Sequence, residues 1–291
     1  MRIQTFSIVV GNAGCNACCP FCVSKMTPAQ ASVTDINWHN FEVAKKLAVR
    51  AGATTVMLTG KGEPTLKADE VRLYLEKLRD HFPLIELQTN GLHAADNVRN
   101  KTTHSWYELW YETGLTTIAL SIAHWEQEKN QKIFCREGAK HFDLKELVEW
   151  LHHLGLSVRL SCVLLKDLVC DSDSVGQLIN WARAWGVEQL TLTPVSKPSA
   201  TRNPEVSKWV KENRLSPRDV DDIHVFLEQE GTVLMELAHG ALVYDVHGQN
   251  VCLSNCLLHS PLQDGGLIRN LIFYPDGHIR YDWAHEGAVI L

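Results

Sequence analysis

The chain has 291 residues, and 28 Lys and Arg stand against 34 Asp and Glu, a formal net charge of −6 at pH 7. That balance speaks against a nucleic-acid binder with a wholly basic surface, and no run reaches the roughly 18 apolar residues that a membrane helix needs. Hydrophobic residues make up 45%, enough for a packed core in one large α/β domain or two small ones. Nine cysteines with no secretion signal before them fit a reducing cytoplasm.

Residues 3–10 read as an apolar strand, and a cysteine-rich loop over 11–25 follows directly. A helix over 35–51 carries Phe41, Ala44, Leu47 and Ala48 on one face and stops at Gly52. Strand 54–59 runs into Gly60-Lys61-Gly62-Glu63-Pro64. Then come helix 69–81, strand 84–89 ending in Asn90-Gly91, helix 105–113, strand 116–121, helix 143–154, strand 157–165, helix 172–185 and strand 188–193. Six β/α alternations imply a parallel sheet with right-handed crossovers and functional loops at the carboxyl ends of the strands. Alternation alone allows a doubly wound sheet or an open barrel. Beyond it, 196–215 reads as a polar connection, 217–230 as a helix, and the remainder as β structure ending in a hairpin with a Pro275-Asp276-Gly277 turn. The expected division is therefore 1–195 as the α/β unit and 196–291 as a small β-rich extension capping it.

Four of the nine cysteines, Cys15, Cys18, Cys19 and Cys22, lie within the first loop. Thiols this close suggest a metal. Zinc sites usually pair two ligands with a second short motif, and the nearest such pair, Cys252 and Cys256, is remote and spaced C-x3-C. A disulfide between the adjacent Cys18 and Cys19 would be strained. Cys15, Cys19 and Cys22 form C-x3-C-x2-C with Phe21 before the last thiol, and three thiolates on one loop can hold three irons of a [4Fe–4S] cluster with the fourth iron open.

This pattern after an N-terminal strand resembles the radical S-adenosylmethionine (SAM) superfamily, and in organisation its molybdenum-cofactor cyclase and SPASM or Twitch relatives. Gly62-Glu63-Pro64 matches the family's Gly-Gly-Glu-Pro segment, with Lys61 standing at the first glycine's place. The resemblance implies a partial (β/α)6 barrel, a [4Fe–4S] cluster on Cys15, Cys19 and Cys22 with Cys18 a bystander, and SAM chelated to the open iron. Reductive cleavage of SAM then gives a 5′-deoxyadenosyl radical that abstracts hydrogen from a substrate, with a reductant such as flavodoxin or ferredoxin. Residues expected at SAM are Phe21, Gly62, Glu63, Pro64, Thr89, Asn90, Ser121, Arg159, Ser161 and Thr193, with the Arg159 fork suited to a carboxylate. Two loops read as substrate elements: 124–142, with His124, and 195–215, whose Lys197, Arg202, Lys208, Lys211 and Arg214 against Glu205 and Glu212 give a local +3. Lys61, His124, Lys197 and Arg202 are the candidate substrate contacts, and the substrate expected is small and anionic, nucleotide-like. Cys252 and Cys256 are the candidates for an auxiliary cluster, whereas Cys162 reads as a small buried hydrophobe. Competing readings are a peptide-modifying enzyme, a glycyl-radical activating enzyme, and, without catalysis, an iron–sulfur or zinc carrier module.

Overall fold

The computed structural model describes residues 2–99, 105–139, 141–197, 201, 203–237, 240–254 and 267–291. Its centre is one twisted sheet on which successive strands lie side by side. β1 (Arg2–Val9), β2 (Thr55–Thr59), β3 (Leu84–Thr89), β4 (Thr117–Ile122), β5 (Ser157–Leu164) and β6 (Gln189–Pro194) pair in sequence order, all parallel. The parallel order is the one expected from the alternation of strands and helices, and the partial barrel is the one the resemblance implies.

The 196–291 segment adds to both edges of the same sheet. β9 (Gln249–Leu253) runs parallel to β6, and β10 (Leu267–Phe273) runs parallel to β1. Antiparallel β8 (Leu242–Val246) and β7 (Gly231–Glu236) continue beyond β9, and β11 (Ile279–Arg280) beyond β10. The β10–β11 turn is seated on a helix: Asn37 donates its backbone N–H to Pro275 O at 2.8 Å, and Asn40 Nδ2 donates to Gly277 O at 3.0 Å. Gly277 has φ +97°, and a Cβ there would sit 2.5 Å from Asn37 Nδ2, so the turn needs glycine twice over.

The helices are α1 (Val23–Met26), α2 (Trp38–Arg50), α3 (Ala68–Leu78), α4 (Leu92–Arg99), α5 (Trp106–Glu112), α6 (Gln127–Phe134), α7 (Leu144–His153), α8 (Ser172–Ala184), α9 (Pro204–Asn213) and α10 (Pro217–Glu230). Local chemistry sets their ends. Asp171 and Ser174 form a capping box at the start of α8, and Ser216 with Asp219 does the same for α10, where Pro217 sits at the first turn. α7 starts at Asp143, whose side chain accepts the Glu146 N–H at 3.0 Å. It then buries Leu144, Leu147, Val148 and Leu151 against the sheet, each contributing about 1.5–3 kcal/mol. The stretch read as a polar connection contains α9. Asn203 caps it, Pro204 opens it, and Val206 and Val210 are buried one turn apart.

The sheet's two faces differ in kind. On β5, Val158, Leu160, Cys162 and Leu164 are fully buried under the helices, while the alternate Arg159, Ser161 and Val163 face the concave interior. β3 repeats this with Ile85 and Leu87 against Glu86 and Gln88, and β6 with Leu190 and Leu192 against Gln189 and Thr191. Complete barrels of this class fill the interior with branched apolar side chains. Here amides, hydroxyls and charges stand among Met57, Ala119 and Val163, which leaves space for a polar ligand.

Candidate functional site

A cavity of about 560 Å³ occupies this interior and opens at the carboxyl ends of the strands. Cys15, Cys19, Cys22 and Phe21 line its upper wall, whereas Cys18 is exposed and lines none of it. Gly62, Glu63, Pro64, Thr89, Asn90, Ser121, Arg159, Ser161 and Thr193 line it too, so the structure brings together all the residues expected at SAM.

The cysteine loop is held in place from three sides. Phe21 packs edge-on against Phe134 of α6, centroids 6.0 Å apart, and against Trp209 of α9 at 5.9 Å. With Met26, Ala123, Leu165, Val195, Val206 and Val210 these rings form a separate small core over the barrel. The two loops read as substrate elements thus contribute helices that clamp the thiols. Cys18 N–H also donates to Phe134 O at 2.9 Å. From the sheet side, Gly62 backs directly onto the loop. A Cβ at Gly62 would lie 2.0 Å from Gly14 O and 2.7 Å from Asn12 O, and Glu63 N–H donates to Gly14 O at 2.9 Å. Only glycine allows this approach.

Glu63 is buried, and its carboxylate is filled by protein donors. Oε1 accepts from Thr65 N at 3.1 Å, Thr65 Oγ1 at 2.7 Å and Thr89 Oγ1 at 2.6 Å, and Oε2 accepts from Asn90 N at 2.9 Å. The carboxylate therefore locks the ends of β2 and β3 together. Asn90 passes the link on: its Nδ2 donates to Asn16 Oδ1 at 2.8 Å and lies 3.8 Å from Cys15 Sγ.

The thiols are costly to ionise as they stand. Burial, then the charges of Cys22 and Cys15, push the Cys19 thiol up to about 12. Burial also raises Cys15, opposed by the N–H of Ala17 and reinforced by Glu63 and Cys22. Two thiols that burial and neighbouring charge make costly to ionise suit a site whose charge is balanced by bound metal. Among the described residues, no three His, Cys, Asp or Glu side chains converge on one ion.

Lys61, at the position left open by the sequence, lines the cavity and is buried. Its Nζ donates to Thr27 Oγ1. Burial, then repulsion from Arg280, lower its pKa to about 8 against the pull of Cys22. Arg159 pairs with Glu86 across the cavity floor and donates to Thr191 Oγ1 at 3.3 Å, so its fork already has a carboxylate partner. His124 is buried away from the cavity lining. Its Nδ1 accepts the Glu126 N–H at 3.0 Å, its ring stacks on Trp125 at 3.8 Å, and Asn130 closes the turn around it. Burial, then Lys129, hold its pKa down to about 4 against Glu126. Lys197 is exposed and lines none of the cavity, and Arg202 and Cys256 lie outside the described residues. Cys252 is buried on β9 opposite Thr191. Residues that the motifs did not flag also line the floor: Gln4, Glu86, Gln88, Gln189, Arg269 and, nearer the β10–β11 side, Trp283. For the strand residues the signal was present, as polar side chains at every second position of otherwise apolar strands.

Thiols on the loop after the first strand, at the carboxyl edge of an open parallel barrel with a polar interior, define a cofactor-dependent enzyme of the partial-barrel class. The family model described as "Radical SAM superfamily" matches residues 9–169, more than half of the chain, and the chain belongs to that family of enzymes. The family implies a [4Fe–4S] cluster and SAM, and the donor set above fits both. Solved structures with this fold include SuiB of Streptococcus suis bound to precursor peptide SuiA, at TM-score 0.61 and 13% identity over 96% of this chain. They also include a radical SAM methyltransferase from Sphaerobacter thermophilus, at TM-score 0.52, 15% identity and 86% coverage of this chain. The chain spans 59% of the SuiB chain and 66% of the methyltransferase. Among curated proteins, a stretch of 130 residues is 31% identical to part of the U5 small nuclear ribonucleoprotein 200 kDa helicase of Drosophila melanogaster. It takes in 44% of this chain and 5% of that protein, too small a share to carry a relationship of function. Among the described residues no helix is long and apolar enough to cross a membrane.

Proposed function

We propose that this radical SAM enzyme carries one site-differentiated [4Fe–4S] cluster on Cys15, Cys19 and Cys22 and acts on a small, polar, anionic substrate inside the barrel. The observation that carries this reading is one cavity with three thiols and Gly62-Glu63-Pro64 at its mouth and amides, hydroxyls and an ion pair on its floor. Cluster and SAM, once bound and supplied with an electron from a protein such as flavodoxin or ferredoxin, provide a 5′-deoxyadenosyl radical for hydrogen abstraction.

The chain's own residues do the rest. The Gly14–Gly62 contact and the Glu63 carboxylate fix the cysteine loop relative to β2 and β3 before any cofactor arrives. Ser121 and Thr193, near the ends of β4 and β6, and Ser161, within β5, offer hydroxyls to the ribose and adenine of SAM. Phe21, Phe134 and Trp209 keep water from that side of the thiols. The floor residues orient the substrate. Anaerobic reconstitution followed by SAM and dithionite tests the reading by chromatography of 5′-deoxyadenosine. A fully loaded cluster that releases none would sink it and favour a carrier module.

A second reading, modification of a peptide, is favoured by one feature. β7 is the outermost strand of the sheet beyond β8, and Val233, Leu234 and Met235 are exposed on it. A strand edge that no described residue pairs with, carrying apolar side chains, can accept an extended peptide through main-chain hydrogen bonds. On that reading Val233→Pro abolishes peptide-stimulated deoxyadenosine release, and on the first it leaves turnover unchanged.

A further inference from the structure

A buried ammonium is unfavourable unless something of opposite charge meets it. Lys61 is 7% exposed, yet its hydrogen bond goes to a neutral hydroxyl, Thr27 Oγ1. That hydroxyl is itself anchored, donating to Val23 O at 3.0 Å. No carboxylate forms an ion pair with Lys61 among the described residues. The charge nearest in effect is another cation, the Arg280 guanidinium of β11. Arg280 is half-buried; among the described residues its Nε has no acceptor, and its guanidinium lies 5.2 Å from the centre of the Tyr274 ring with no carboxylate paired to it. Trp283 completes this wall of the cavity and packs against Tyr274 at 6.2 Å.

Two cations from remote parts of the chain thus bear on one another electrostatically, and one of them, Lys61, is buried in the wall of a cavity that can admit a ligand. Folding alone would not favour this arrangement, because like charges repel and both lose hydration. A bound anion would reverse both costs.

We propose that Lys61 is the centre of an anion subsite on the β10–β11 side of the cavity, which takes a carboxylate or phosphate of the substrate next to the cysteine loop, with the charge of Arg280 reinforcing it from outside the lining. The subsite deepens the proposed function and rests on it only for the statement that the bound anion belongs to a substrate. It also gives a use to the lysine that stands where the family motif has glycine.

The test uses anaerobically reconstituted, SAM-loaded protein with succinate and inorganic phosphate as probes, read by calorimetry and by melting temperature. The wild type is expected to bind at least one probe, Lys61→Met to bind it about tenfold more weakly or worse, and Arg280→Gln about threefold more weakly, as the loss of charge-assisted contacts predicts. SAM affinity stays within about twofold in both variants, and neither melts below the wild type without probe, since an unpaired buried charge has been removed. Equal probe binding by wild type and both variants overturns the proposal. So does a loss of SAM affinity as large as the loss of probe affinity, which would assign the anion to SAM's own carboxylate. A shifted cluster potential with probe binding intact overturns it as well, because Lys61 would then serve the thiolates. If Lys61→Met melts lower, the comparison passes to Arg280→Gln, whose side chain lies outside the cavity lining. Deoxyadenosine release by the wild type without probe tests the radical chemistry by itself, so the two ideas fail separately.

Discussion

Glu63 offers the sharpest perturbation. Replacing it with Gln keeps the shape but leaves one carbonyl oxygen where the carboxylate has two. The better orientation points that oxygen at Thr65 N, Thr65 Oγ1 and Thr89 Oγ1, and turns the new NH2 toward Asn90 N–H at 2.9 Å. One charge-assisted bond is then lost, worth about 1.5–3 kcal/mol, and a buried N–H is left unpaired for about 1–3 kcal/mol more. The sum is about 2–5 kcal/mol, since the two terms overlap. At about 2–4 °C per kcal/mol for a chain above 150 residues, Glu63→Gln should melt roughly 4–20 °C lower. Differential scanning calorimetry of the metal-free protein reads this directly. A melting point within about 2 °C of wild type, paired with weakened SAM binding after reconstitution, would refute the reasoning. Glu63 would then be a ligand for the SAM ammonium and not the clasp between β2 and β3.

Three further outcomes follow from the geometry. Cys15→Ala, Cys19→Ala and Cys22→Ala should each lose most of the iron and sulfide after reconstitution, whereas Cys18→Ala, which removes an exposed thiol, should retain it; loss from Cys18→Ala alone would reverse the ligand assignment. Gly62→Ala drives a methyl group to 2.0 Å from Gly14 O, so the cysteine loop must move, at a cost above about 3 kcal/mol, and iron loading should fall to roughly half or less. His124 gives a pH signature. Its folded pKa of about 4 lies below the ordinary value of 6.5, so between those values the unfolded chain binds a proton that the folded chain refuses. Its contribution is complete above pH 6.5 and is lost as pH falls toward 4, and urea titrations of His124→Asn should show a flatter decline over that window than wild type.

What the sequence disclosed and what it concealed have physical reasons. Strands and helices with long apolar periods were readable to within a few residues; the helix expected over 143–154 is Leu144–His153. α9 was hidden because Lys208, Lys211 and Glu212 dominate its composition, although Asn203, Pro204 and the Val206–Val210 spacing mark a cap, an entrance turn and a buried stripe. α6 offered even less, with an apolar pair only at Ile133 and Phe134. The parallel pairing of β9 with β6 and of β10 with β1 joins residues up to 265 positions apart, Arg2 with Leu267, and no local pattern encodes such a partner.

The candidate site divides along the same line. Its two motifs are local and were visible as spacings, but the forces joining them are not. Gly62 lacks a side chain because Gly14 O occupies that space, and Glu63 is charged because four donors, two of them from the end of β3, converge on it. The cysteine loop, the turn after β2 and the end of β3 therefore form one mechanical unit, set before cofactor binds. Lys61 is the member of that turn which the packing does not require. Its ammonium adds buried charge that no carboxylate among the described residues meets, so the residue that departs from the family motif is also one kept at a desolvation cost. That follows from the electrostatics of burial: groups retained against their own desolvation cost are those whose partner arrives from outside.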